Sequence, residues 1–123
     1  GKIPDNFFVY PFVPQLEVLQ KASLFITHGG MNSVNEALYY GTPMIVIPVG
    51  NDQPTVARQI ETLHLGKYMK RKDTDAVSLR LTAMEILNNN NYKDTLKKFQ
   101  MKSQAAGGNM EIARQILAEL DKY

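Results

Sequence analysis

Two short apolar runs, separated by one stretch of helical character, constrain the fold of this chain more than any other feature. The runs are SLFITH at residues 23–28 and PMIVIPV at residues 43–49. Continuous apolar strands rich in β-branched residues are typical of a parallel sheet covered on both faces. Between them, helical spacing over about residues 32–40 ends at Gly41, with a proline two residues later, a common signal for a helix end. The pattern therefore predicts a parallel strand–helix–strand unit.

The segments on either side of this unit extend the alternation of strands and helices. NFFVYPFV at residues 6–13 is a further candidate strand, with its internal proline placed at an end or an irregularity. After the unit, a helix is predicted to start at Pro54 and to carry Val56 and Ile60 on one face. A short strand is expected near residues 66–71.

The last third of the chain shows helical patterns alone. These patterns cover residues 75–88, 92–106 and 109–123, and the asparagine run at residues 88–91 is predicted to be a loop. Strands that alternate with helices, followed by helices alone, are typical of an α/β fold. We therefore predict one α/β domain over residues 1–123, a doubly wound parallel sheet with a helical C-terminal tail.

Bulk composition excludes several classes of function. A chain of 123 residues is long enough for one domain, and its net charge of +2 is too small to indicate nucleic acid or an anionic membrane as partner. Apolar stretches of about 5–6 residues are far below the ~20 that cross a bilayer, so no membrane span is expected. Cysteine is absent, which excludes disulfides and thiolate metal sites and leaves the compartment open.

The turn THGGMNS at residues 27–33 follows the second predicted strand and leads into a helix. In parallel α/β units, ligands bind at this place, beyond the carboxyl end of a strand. Gly29 and Gly30 let the backbone turn sharply and approach a ligand, and the N–H groups and dipole of the following helix favour negative charge. Further donors come from three side chains, those of His28, Asn32 and Ser33. The turn predicts an anion site, with a diphosphate as the obvious candidate.

A plain structural role explains the same turn. Ser33 and Glu36 have the spacing of a capping box, in which each side chain bonds the backbone of the other. His28 would then be satisfied by the backbone of a simple strand-to-helix turn. The turn by itself leaves both interpretations open.

The wider pattern over residues 12–53 resembles the donor-binding signature of UDP-dependent glycosyltransferases of family 1, most closely the bacterial macrolide-type enzymes. Plant members carry tryptophan at the positions of Phe12 and Met31 and cysteine at that of Gly29. The C-terminal AAGGNMEIARQILAEL is also similar to the end of that family. The matching pieces are FVPQ at residues 12–15, THGGMNS at 27–33, Glu36, GTPMIVIP at 41–48 and DQ at 52–53.

The resemblance implies a set of donor-binding residues on a GT-B C-terminal, Rossmann-like domain. Phe12 would stack on uracil, the Val13 backbone and Gln15 would meet base and ribose, and Glu36 would accept from the ribose diol. Asp52 and Gln53 would bind the transferred sugar. The remaining implied residues bind the diphosphate through side chains or backbone N–H groups: His28, Gly30, Met31, Asn32 and Ser33.

The implied reaction is inverting, metal-independent transfer of a hexosyl group, with UDP-glucose as the expected donor, to a hydroxyl of a small lipophilic acceptor. The family places its catalytic base and acceptor pocket in an N-terminal domain that this sequence does not match, so no catalytic residue and no cofactor are expected here. We expect the 123-residue chain to be inactive alone, cytoplasmic and incomplete at its N-terminal side, and to dimerise or swap strands. Two alternatives remain: half of a split glycosyltransferase that needs a partner chain, and a non-catalytic binding module.

Four other features have plainer interpretations. Asp73 and Asp75 suggest a metal site, but they precede a helical pattern and are explained by helix capping, so no metal is expected. His64 is expected at the surface or at the end of a helix, and the pair Tyr39–Tyr40 in packing. Asp52 could merely cap the helix that opens at Pro54.

Overall fold

The computed structural model describes Asn6, residues 13–108, Arg114, Gln115 and Ala118. The predicted strand at residues 6–13 and the predicted helix at residues 109–123 fall almost entirely outside this part of the chain. The elements, in chain order, are α1 (Gln15–Lys21), β1 (Phe25–Thr27), α2 (Met31–Tyr40), β2 (Met44–Val46), α3 (Gln53–Thr62), β3 (Gly66–Tyr68), a 3-10 turn (Arg71–Asp73), α4 (Ala76–Leu87) and α5 (Asn90–Ala105).

The three strands form one parallel sheet in the order β1-β2-β3. This arrangement confirms the predicted strand–helix–strand unit, and β3 confirms the short strand expected near residues 66–71. In the part of the chain that the structure describes, no strand pairs with the outer edge of β1, where Ile26 is 49% exposed.

Helices cover both faces of the sheet, as the doubly wound prediction requires. All three residues of the central strand β2 are fully buried. Because successive side chains of a strand point to opposite faces, Met44 and Val46 join one core cluster and Ile45 joins another. The first cluster contains residues of α2, α3 and α5, and the second contains Ile86 of α4 and Tyr92 of α5. The sheet therefore lies between two helical layers.

The helix ends follow local signals that the sequence carries. Gly41 ends α2 in the left-handed conformation, with φ of +66°, and its N–H reaches the carbonyls of Ala37 and Leu38. Asp75 caps α4 through a reciprocal pair of bonds with Ser78, at 2.8 and 3.0 Å. Hydrogen bonds to the carboxyl from the Ser78 N–H and, second, from the Ser78 hydroxyl lower the pKa of Asp75. The capping explanation of Asp75 is confirmed.

The asparagine run is shorter as a loop than predicted. Residues 88–91 were expected to form the whole connection, but α5 already begins at Asn90. The Asn89 side chain accepts a hydrogen bond from the Asn91 N–H at 2.9 Å and so caps α5. Asparagine is among the preferred N-cap residues, which is the physical reason for the earlier start of the helix.

Candidate functional site

The THGGMNS turn lies at the carboxyl end of β1, between Thr27 and Met31, and α2 begins directly after Gly30. Gly30 occupies the N-cap position, and among the described residues no side chain caps α2. The predicted capping box of Ser33 and Glu36 is therefore wrong, because Ser33 already lies inside the first turn of the helix. The first N–H groups of α2 are left for other partners, since a helix bonds none of them internally.

Gly29 gives the turn its shape. Its φ of +94° is a conformation that side-chain-bearing residues rarely adopt, and its N–H donates to Thr27 Oγ1 at 3.2 Å. A Cβ built there would lie 2.8 Å from Val46 Cγ1 in the core and 3.6 Å from the Gln53 carbonyl oxygen. The turn is therefore packed against β2 and against the start of α3, which fixes the direction in which the α2 amides point.

Replacing Gly29 with alanine is expected to destabilise the protein by about 2–3 kcal/mol, from the strained φ and the contact with Val46. Chemical denaturation measures this. Gly30→Ala is the matched control, since a Cβ there would meet nothing closer than 3.4 Å, at His28 Nε2. Equal stability of the two variants would contradict this account of the turn.

His28 is exposed and lies beside the start of α2. Its Nε2 is 3.4 Å from the position that a Cβ on Gly30 would occupy. Its ring borders a cavity of about 380 Å³ that Gln15, Thr27 and Ser33 also line. Asn32 is exposed in the first turn of the same helix. The structure therefore brings together, at one helix start, the donors that the sequence predicted.

Gln15 connects this helix start with Glu36. From the first position of α1, its Nε2 donates to Glu36 Oε2 at 2.5 Å and to Ser33 Oγ at 3.3 Å. A second cavity, of about 550 Å³, is lined by Pro14, Gln15 and Glu36 among others. Gln15 lines both cavities, so they adjoin at its side chain, and we call the region from His28 past Gln15 to Glu36 the trough.

Asp52 and Gln53 lie after β2, at the start of α3. Gln53 Oε1 accepts from the N–H groups of Val49 and Gly50 at 2.9 and 3.1 Å, and among the described residues its NH₂ group has no acceptor. Asp52 occupies the N-cap position of α3, but its side chain makes no capping bond. The Asp52 side chain therefore does not cap α3, and the capping explanation of this residue is wrong.

Asp52 has a partner that the sequence analysis missed. Arg114 Nη1 lies 3.4 Å from Asp52 Oδ2, and the two residues are 62 positions apart. Arg114 belongs to the predicted tail, where nothing in the helical pattern distinguishes it from the neighbouring polar residues. No local signal could have found this contact, because only the tertiary fold brings the two segments together.

The remaining predicted positions have mixed outcomes. The Met31 side chain is buried, so its predicted role would fall to its backbone N–H at the first position of α2. Val13 is exposed beside Pro14, and Phe12 lies outside the described residues. His64 follows the end of α3 and stacks on Tyr92 with ring centroids 4.0 Å apart, so its placement at a helix end is confirmed.

Two further searches concern metals and membranes. The described residues contain no group of three or more His, Cys, Asp or Glu side chains placed to hold a metal ion. Among the same residues, no helix has the length and apolar character needed to cross a bilayer.

Comparisons with known proteins relate this chain to one part of several glycosyltransferases. Residues 1–120 match the model of the family described as "Erythromycin biosynthesis protein CIII-like, C-terminal domain". The chain is 48% identical over 115 residues to the "Uncharacterized UDP-glucosyltransferase YojK" of Bacillus subtilis (strain 168), covering 94% of this chain and 28% of that protein. It is 34% identical over 120 residues to the oleandomycin glycosyltransferase of Streptomyces antibioticus, covering 98% of this chain and 28% of the relative.

A solved structure agrees with these sequence relatives. The crystal structure of the glycotransferase of kitacinnamycin superposes with a TM-score of 0.82 at 34% identity, covering 94% of this chain and 30% of that one. The chain thus spans less than a third of the length of these relatives.

Proposed function

This chain belongs to the family of erythromycin biosynthesis protein CIII-like C-terminal domains, as its resemblance to family 1 glycosyltransferases predicted, and from that premise we propose that it binds the UDP-sugar donor of a glycosyltransferase. In the full-length protein, the reaction is inverting transfer of a hexosyl group, with UDP-glucose as donor, to the hydroxyl of a small lipophilic acceptor. The names of its relatives, a UDP-glucosyltransferase and an oleandomycin glycosyltransferase, support the donor and the reaction class.

The observation that carries the proposal is the uncapped start of α2. No described side chain satisfies its first N–H groups, and His28 lies beside them at the end of β1. A diphosphate placed there accepts from several backbone N–H groups and meets the positive end of the helix dipole. His28, Asn32 and Ser33 add donors around the same point. A side chain that capped α2 would have occupied these N–H groups and excluded the diphosphate.

The trough beyond the helix start suits a nucleoside. Glu36 carries a carboxylate that can accept hydrogen bonds from both hydroxyls of a ribose. Gln15 donates to that carboxylate, so a ribose would replace or share a bond that already exists. The base then extends towards Val13 and Phe12, where the Val13 backbone meets its edge and the Phe12 ring stacks on its face.

The transferred sugar lies on the other side of the diphosphate, towards α3. The Asp52 carboxylate accepts from sugar hydroxyls, and the free NH₂ end of Gln53 donates to them. The approach of Gly29 to the Gln53 backbone holds this pair next to the diphosphate position. One acceptor and one donor, both fixed by their neighbours, bind a polyhydroxylated ring with defined orientation.

The same geometry supplies catalysis by stabilising the leaving group. As the bond to the sugar breaks, negative charge grows on the diphosphate, and fixed donors at a helix start stabilise that charge without a metal ion. The sequence contains 2 histidines; one serves the diphosphate and the ring of the other stacks on Tyr92. The resemblance to family 1 glycosyltransferases implies a catalytic base in a separate N-terminal domain, so we assign the base to another part of the full-length protein and expect no turnover by the 123-residue chain alone.

Calorimetric titration of the full-length protein with UDP tests this function. We expect saturable binding, weakened by His28→Ala by about 1–2 kcal/mol, roughly 5- to 30-fold, because one hydrogen bond to the diphosphate is lost. His64→Asn is the matched control, since asparagine tolerates the positive φ of 62° at that position and the ring lies away from the trough. Absence of binding heat with UDP, or an equal loss in both variants, would overturn the proposal.

A further inference from the structure

The contact between Asp52 and Arg114 joins two distant parts of the chain at the sugar end of the site. Arg114 Nη1 approaches Asp52 Oδ2 at 3.4 Å, and the Arg114 and Asp52 side chains are 48% and 54% exposed. The pair borders a cavity of about 230 Å³ that Met31 and Val56 also line. A half-exposed ion pair of this kind contributes little to the free energy of folding. What the pair can determine is the direction in which the Asp52 carboxylate points.

The carboxylate has a competing orientation. At the N-cap position of α3, an aspartate ordinarily turns back and accepts from the N–H groups of its own helix. Asp52 makes no such bond, and Arg114 is the partner that the described residues provide instead. The neighbouring Gln53 is fixed by Val49 and Gly50, so it needs no such partner. Without the guanidinium, the carboxylate is free to rotate onto α3 and away from a bound sugar.

We propose that Arg114 is a positioning residue that holds the Asp52 carboxylate towards the sugar of the donor and so tunes sugar recognition without contributing to UDP affinity. The proposal rests on the function proposed above. One carboxylate oxygen engages Arg114 and the other remains for a sugar hydroxyl, because a carboxylate offers two acceptor atoms.

Steady-state kinetics of the full-length protein with UDP-glucose, together with calorimetry with UDP, test the proposal. Arg114→Ala is expected to raise the KM for UDP-glucose about three- to fivefold, the range of a half-exposed ion pair. The Kd for UDP should stay within about twofold of the parent value, since UDP lacks the sugar. Arg114→Lys should restore part of the loss, and Arg80→Ala, which removes an exposed arginine from α4, should change neither constant.

A double-mutant cycle separates positioning from general effects. Asp52→Asn should raise the KM for UDP-glucose, and adding Arg114→Ala to it should cause no further rise, because the carboxylate being positioned is gone. Additive effects, an unchanged KM in Arg114→Ala, or a parallel rise of the UDP Kd would each overturn the positioning role. If the parent protein does not bind UDP, the proposed function fails together with this inference. If the parent protein binds UDP and Arg114→Ala leaves the KM for UDP-glucose unchanged, this inference fails while the proposed function stands.

Discussion

Replacing Glu36 with alanine is expected to weaken UDP binding by the full-length protein about 10- to 100-fold, that is, by about 1.4–2.7 kcal/mol. The Glu36 carboxylate already accepts a hydrogen bond from Gln15 within the trough, which shows that it is placed to receive donors there. A ribose diol would give it two charge-assisted bonds. Calorimetric titration with UDP measures the loss.

Matched variants and ligands make this prediction specific. Glu17→Gln removes a carboxylate that lines the same cavity and should leave UDP affinity nearly unchanged. The parent protein should prefer UDP over 2′-deoxy-UDP, and Glu36→Ala should abolish that preference. A preference that persists in the variant, or an equal loss in Glu17→Gln, would show that the carboxylate of Glu36 does not hold the ribose.

Replacing Gly66 with alanine is expected to destabilise the domain by about 3 kcal/mol or more. A Cβ at this position of β3 would overlap the Met44 carbonyl oxygen and lie 2.8 Å from its carbonyl carbon. These atoms belong to the backbone of the central strand, which cannot move aside as a flexible side chain does. Chemical denaturation measures the loss of stability, and we also expect the variant to give less soluble protein on expression.

Gly50→Ala is the control for this substitution. Nothing lies within 4 Å of a Cβ built on Gly50, so its stability should stay within about 0.5 kcal/mol of the parent value. Wild-type stability of Gly66→Ala would mean that β2 and β3 do not approach each other as the structure describes.

The parts of the fold that the sequence predicts well depend on local signals. Apolar runs indicated the strands, Gly41 marked the end of α2, and Asp75 marked the start of α4. Each signal acts within a few residues of its effect, because strand burial and helix capping are determined by neighbouring side chains and backbone groups. These features are therefore readable without knowledge of the tertiary arrangement.

The prediction fails where a distant residue competes for a local group. Ser33 and Glu36 have the spacing of a capping box, but α2 starts two residues before Ser33, and Gln15 bonds both side chains from 18 and 21 positions away. Arg114 likewise takes the Asp52 carboxylate, which sequence spacing would assign to the start of α3. Tertiary contacts of this kind override the local preference for helix capping. They produce no pattern in the sequence from which they could be predicted.

The site itself could be predicted in position but not in detail. The carboxyl ends of parallel strands meet at one edge of a sheet, which brings the turns after β1 and β2 close together. The approach of Gly29 to Gln53 shows that they are. The link from α1 through Gln15 to Glu36, at the side chain where two cavities adjoin, could be found only from the fold.

A crystal structure of the full-length protein with UDP tests the central claim most directly. The account predicts diphosphate oxygens about 2.7–3.2 Å from the N–H groups of the first turn of α2 and from His28, with the ribose hydroxyls on Glu36. A diphosphate bound elsewhere, with the start of α2 facing only solvent, would contradict it.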